Sequence, residues 1–131
     1  MSMEVRLEEK YRFVAETGRH QVVIDQPVSE GGTGRGMDPV ELFVASLAGC
    51  AAYYAVHYME RNQIPTRGFR VEADWEVEKK PYRIGTVRMT LHLPDGFPED
   101  KEEPLLAVCR GCTLHHTLDH HPVLEYTMTR G

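Results

Sequence analysis

The sequence is short of cysteine, tryptophan and positive charge: 131 residues hold three cysteines and one tryptophan, and the formal net charge is -5. Each shortage excludes something. Three cysteines is an odd number and too few for the disulfide frameworks that staple small secreted domains, so the thiols are expected to be buried, metal-bound or reactive in a reducing compartment. The 15 lysines and arginines are scattered among 20 acids, and no basic patch forms. Neither nucleic acid nor an anionic membrane is therefore expected as a partner. The opening residues, MSMEVRLEEK, lack the apolar run of a signal peptide, and a cytoplasmic protein is the expectation. There is no internal repeat and no low-complexity tract. What is present, 41% hydrophobic and 27% charged residues, is the composition of a globular domain large enough to own a core.

Residues 4–14, EVRLEEKYRFV, approximate the alternation of a half-buried strand, and HQVVID after Thr17-Gly18 reads as a second. Residues 1–25 are thus expected to form a β-hairpin. The segment QPVSEGGTGRGMDP, with four glycines and two prolines, is a loop. Its GGTGRG fails as a phosphate cradle, because Gly31 and Gly36 are followed by Met37 and Asp38 rather than Lys-Ser/Thr, and the dinucleotide spacing would need glycine at Met37. Asp38-Pro39 with Glu41 is a capping-box-like start, and the helix it opens is expected over 38–62. Between Glu41 and Glu60 lie eighteen residues without a formal charge. Ser46, Gly49, His57 and three tyrosines make this run a poor membrane span and a good buried helix, which so small a domain covers best with a second subunit.

Val71, Ala73, Trp75 and Val77 alternate with acids, and Val87, Met89 and Leu91 alternate with Arg88, Thr90 and His92, so 67–93 reads as an antiparallel strand pair joined near Lys80-Pro81. PEDKEEP suits a helix start, and PVLEYTMTR reads as a final strand. Strands grouped in pairs argue for an antiparallel α+β domain.

The stretch CRGCTLHHTLDHH supports three readings. On one continuous helix Cys109, Cys112 and His116 share a face, with His115, His120 and His121 close by, which suits a zinc site. A thioredoxin-like reading of the C-x2-C pair would want a strand before it in a βαβ context, whereas an acidic helical segment precedes it, and the third reading is purely structural, a buried Cys on a His-rich helix surface. Cys50, in LAGCAAYY, has small neighbours that let a substrate or another element approach its sulfur.

GMDPVELFVASLAGC followed by CTLHHTL resembles the OsmC/Ohr family of thiol-dependent hydroperoxide reductases. The resemblance implies an OsmC-like fold, antiparallel sheets wrapped around central helices in an intertwined homodimer, over one domain spanning 1–131. It implies Cys50 as the peroxidatic cysteine, Cys112 as the resolving one, and Arg19 as the arginine near the reactive sulfur, with Arg12 and Arg35 as rivals in sequence. The family's orienting glutamate falls ten positions before the cysteine, at Val40 here, and Glu41 stands next to it. Thr113 replaces a frequent proline, and Cys109 has no counterpart. Phe43, Leu47 and Tyr54 are candidate substrate neighbours. The implied activity is reduction of organic hydroperoxides or hydrogen peroxide by a homodimer, with an external dithiol reductant and no bound cofactor or metal. The alternatives are an OsmC-fold protein without peroxidase turnover, binding a small molecule or a partner, and a zinc module using Cys109, Cys112 and nearby histidines.

Overall fold

The computed structural model describes all 131 residues, which group into two compact units, 1–46 with 73–88 and 47–72 with 89–131. In the first unit β1 (Glu4–Glu9), β2 (Arg12–Thr17) and β3 (His20–Ile24) form an antiparallel sheet in chain order. The expected hairpin is therefore corrected to three strands. Residues 4–14 are not one strand: the chain turns at Lys10, whose φ of 52° lies in the left-handed region, and Leu7 pairs with Phe13 across the turn. A charged run without Gly, Pro or Asn conceals such a turn. Arg12 closes it through Glu8 and Glu9, each 3.2 Å away.

Val14 and Ala15 of β2 are buried, as is Asp25 just after β3. The Asp25 carboxylate accepts the backbone N–H groups of Gln26 (2.7 Å), Thr33 (3.2 Å) and Arg35 (3.1 Å) and the Thr33 hydroxyl, which Arg12 also reaches at 2.8 Å. These hydrogen bonds hold the Asp25 pKa well below the usual carboxylate range against the opposing effect of burial. The glycine-rich loop thus wraps an internal carboxylate. Gly32 is required there, since a Cβ would lie 2.0 Å from the Gln26 carbonyl oxygen.

The long helix α1 runs Pro39–Arg61, as its capping box indicates: Glu41 N–H donates to Asp38 Oδ1 at 2.8 Å and Asp38 N–H to Glu41 Oε1 at 3.0 Å. Its length and apolar composition are also those of a membrane span, a test that the core helix of a soluble protein passes equally. Val44, Leu47, Ala51, Ala55 and Met59 are buried at helical spacing. Strands β4 (Arg70–Glu78) and β5 (Arg83–His92) pair as expected. Arg88 meets Asp74 and Glu76, and His92 meets Glu72, an order that fits antiparallel strands.

In the second unit Ala51, Ala55 and Met59 of α1 pack with Ile64, Leu105 and Cys109, flanked by Phe69, Leu91, Leu93 and Phe97. Leu105 and Cys109 face the same way on α2 (Glu102–Arg110), being four residues apart. The segment after it is not one helix. α2 stops at Gly111, a poor helix former, and α3 (Thr113–Asp119) begins with Cys112 as its N-cap. The expected final strand is also corrected: residues 122–131 form no strand in the chain. Leu124, Tyr126 and Met128 alternate with polar residues, yet no neighbouring strand pairs with them, and the side chains stand exposed.

Candidate active site

Cys50 lies in the middle of α1, half-buried, beside Gly49, where a Cβ would meet nothing within 4 Å. Its approach is open on that side. Cys112 is 2% exposed, in extended backbone (φ −70°, ψ 156°), and its Sγ accepts the His115 N–H at 3.4 Å. The two thiols are neighbours and both are free. Burial pushes the Cys112 pKa up, the His115 N–H opposes this, and the adjacent Cys50 thiol adds to the rise. Cys112 is thus the more deeply buried of the two sulfurs, and Cys50 the more exposed.

Cys109 is three residues before Cys112 but different in setting. It is 8% exposed, its thiol donates to the Ala51 carbonyl at 3.5 Å, and burial with the neighbouring Cys112 pushes its pKa up to about 11 against the favourable Arg110 charge. A thiol so protonated is a poor nucleophile and metal ligand. The break at Gly111 also removes the common helix face assumed for Cys109, Cys112 and His116. No three His, Cys, Asp or Glu side chains converge as ligands for one ion, so the zinc reading lacks its site. His115 lies 3.7 Å from Asp119, and the His120 ring faces the His116 carbonyl at 3.2 Å; these are local contacts on α3.

Glu41 is engaged in the capping box, and Arg19 sits exposed in the β2–β3 turn; the two make no ion pair. The rival Arg12 is occupied by Glu8, Glu9 and Thr33. Leu47 is core, whereas Phe43 is exposed along an apolar groove of about 280 Å³ with Pro39, Val40, Val77, Tyr82 and Ile84. One contact between the two cysteine-bearing segments is not readable from sequence spacing. The Tyr54 hydroxyl, one turn after Cys50, lies 2.8 Å from Thr113 Oγ1, the residue after Cys112.

A buried thiol paired with a reachable one, on a long helix and a cap, stands on an α+β frame that matches known structures. Residues 32–127 match the family model described as OsmC-like protein. The chain belongs to the OsmC-like family. Among solved structures, a protein from Psychrobacter arcticus 273-4 is 18% identical with a TM-score of 0.81, covering 89% of this chain and 87% of that one. The OsmC-like protein from Mycoplasma pneumoniae is 16% identical with a TM-score of 0.77, covering 92% and 87%. The organic hydroperoxide resistance protein OhrB of Bacillus subtilis is 17% identical with a TM-score of 0.64, covering 92% and 90%. Likenesses this distant establish the OsmC-like fold. No curated protein sequence matches the chain.

Proposed function

We propose that this OsmC-like protein is a cysteine-based hydroperoxide reductase, and the observation that carries the proposal is the pairing of half-buried Cys50 with buried Cys112. The Cys50 thiolate attacks one oxygen of the peroxide O–O bond; the other leaves and takes a proton as alcohol, or as water from hydrogen peroxide, and Cys50 becomes a sulfenic acid. The Cys112 sulfur then attacks the sulfenic sulfur, its proton leaves with the hydroxyl as water, and a Cys50–Cys112 disulfide forms. An external dithiol reduces that disulfide by thiol–disulfide exchange and returns both thiols. No bound cofactor enters these steps.

The unit that acts is a homodimer in the cytoplasm. A second copy would cover the uncharged face of α1, where Phe43 and Tyr53 are exposed, and would give residues 122–131 a strand to pair with. Arg19, free of acidic partners, is available to favour a thiolate by charge and hydrogen bonds. Glu41 would join it only by leaving the cap it now makes with Asp38. The test is consumption of cumene hydroperoxide and hydrogen peroxide with dihydrolipoate as reductant. Native protein turns over, Cys50→Ser does not, Cys112→Ser stops after one oxidation, and Arg19→Ala slows the first step. Turnover surviving in Cys50→Ser sinks the mechanism, and inactivity of the native chain favours a binding role for the fold.

A further inference from the structure

Cys112 is tied to α1 on both sides of itself. Three residues before it, the Cys109 thiol donates to the carbonyl of Ala51, the residue next to Cys50. One residue after it, Thr113 shares a hydrogen bond with Tyr54, one turn beyond Cys50 on the same helix. We propose that these two hydrogen bonds form a clamp that holds Cys112 over Cys50, and that Cys109 and Tyr54 are positioning residues for closure of the Cys50–Cys112 disulfide. The inference rests on the peroxidase reading above and explains the C-x2-C pair without a second redox-active thiol.

A disulfide forms only when the two Cα atoms come within roughly 4.4–6.8 Å and the sulfurs meet at a defined dihedral. Cys112 lies on the short link between α2 and α3, where the Gly111 break leaves the local backbone without continuous helical support. Cys109 stiffens that link twice. Its thiol pins the last turn of α2 to α1, and its carbonyl accepts the Cys112 N–H at 3.3 Å. The Ala51 carbonyl has a second lone pair for the thiol beyond its helical partner. The site, among Ala51, Ala55 and Leu105, favours a side chain that is small, apolar and still a donor. Cysteine meets all three needs. Tyr54 anchors the other side through the first residue of α3, so both arms act on the cysteine between them.

A reacting group displaced by about 1 Å loses on the order of a hundredfold in rate. The experiment mixes the reduced full-length protein with cumene hydroperoxide, without reductant, and quenches it at intervals with a thiol-alkylating reagent. Intact-mass and peptide analysis then separate sulfenate formation at Cys50 from disulfide closure. Cys109→Ala and Tyr54→Phe are expected to close the disulfide on the order of 10- to 100-fold more slowly than native protein, with sulfinic Cys50 accumulating, and in Cys109→Ala the rate of sulfenate formation is unchanged. Cys109→Ser, which keeps the donor, restores closure to within several-fold, and the double variant is slower than either single one. A mere packing role would not separate the two rates or be rescued by serine.

Closure at the native rate in Cys109→Ala or in Tyr54→Phe overturns the clamp, as does a serine variant as slow as the alanine one. A Cys109–Cys112 disulfide in the native protein also overturns it, because Cys109 would then be a redox partner. Should the Cys109 variants fail to fold, the Tyr54→Phe rate decides alone. Native protein that forms no sulfenate at all overturns the peroxidase reading and the clamp together. Native closure with unaltered variants overturns only the clamp.

Discussion

Replacing Cys112 tests two roles of one sulfur. The Sγ is the N-cap acceptor of α3, bonded to the His115 N–H at 3.4 Å, and the residue is almost fully buried. Truncation to alanine loses both. An ordinary Ser, Thr or Asp cap is worth about 0.5–2 kcal/mol, and a sulfur acceptor at this separation belongs near the low end. Removing one buried sulfur costs about as much as removing a buried methylene, ~0.8 kcal/mol. Cys112→Ala should therefore destabilise the protein by about 1–2 kcal/mol, or roughly 3–8 °C in Tm for a chain of this size. Cys112→Ser keeps an oxygen acceptor in the cap position and should lie above the alanine variant by about 0.5–1 kcal/mol, although both abolish disulfide closure. Urea unfolding at fixed protein concentration measures the difference. If serine is no more stable than alanine, the Cys112 sulfur is not a cap, and the account of how α3 starts is wrong.

Leu105, 1% exposed in the core shared with α1, should cost about 2–5 kcal/mol as Leu105→Ala by denaturant unfolding, with the larger values marking a cavity that does not collapse. For Asp25 the pKa is lowered on folding, so its stabilisation is fully present above the unfolded value of 3.8 and fades as pH falls toward the folded one. Thermal melts of native protein and Asp25→Asn should therefore differ at neutral pH and converge only in acid. A gap that is constant with pH contradicts the ionised carboxylate. Timed alkylation of native protein near neutral pH, read by mass spectrometry, should modify the half-buried Cys50 readily and Cys109 last, since Cys109 is buried with its pKa pushed up to about 11. Gly49→Ala should gain up to about 1 kcal/mol of helix propensity in a lone chain, where the site is open. Denaturant unfolding at fixed protein concentration measures the gain.

What could be read from the sequence follows from how local each signal is. The capping box at Asp38 and the alternation around Trp75 and Met89 are complete within a few residues, and α1, β4 and β5 appear where those patterns put them. The β1–β2 turn has no such signature, because Lys10 takes a left-handed conformation inside a run of charges. The break at Gly111 was readable in principle. A single glycine marks it, and a lone glycine inside a helical pattern is also tolerated. The purpose of GGTGRG was hidden for a different reason: its N–H groups face Asp25, whose place in the loop emerges only in three dimensions. Cys50 and Cys112 are 62 positions apart in sequence (112 − 50), and only the family resemblance joined them before the structure did.

The division of labour proposed for the three thiols follows from their surroundings rather than their spacing. A peroxide must meet a sulfur that solvent reaches, and Cys50 is the one that is half-buried. The second sulfur should wait where peroxide does not reach it, so that it is oxidised only by the sulfenic acid, and Cys112 is shielded in this way. A third thiol with equal access would compete for that sulfenic acid or for Cys112. In the proposed clamp Cys109 does not compete, because its thiol donates to the Ala51 carbonyl and burial favours the protonated form. In the proposed mechanism the same chemical group serves as reactant, partner and peg within one small site. Exposure separates the first from the other two, and the hydrogen-bond acceptor separates the last from the second.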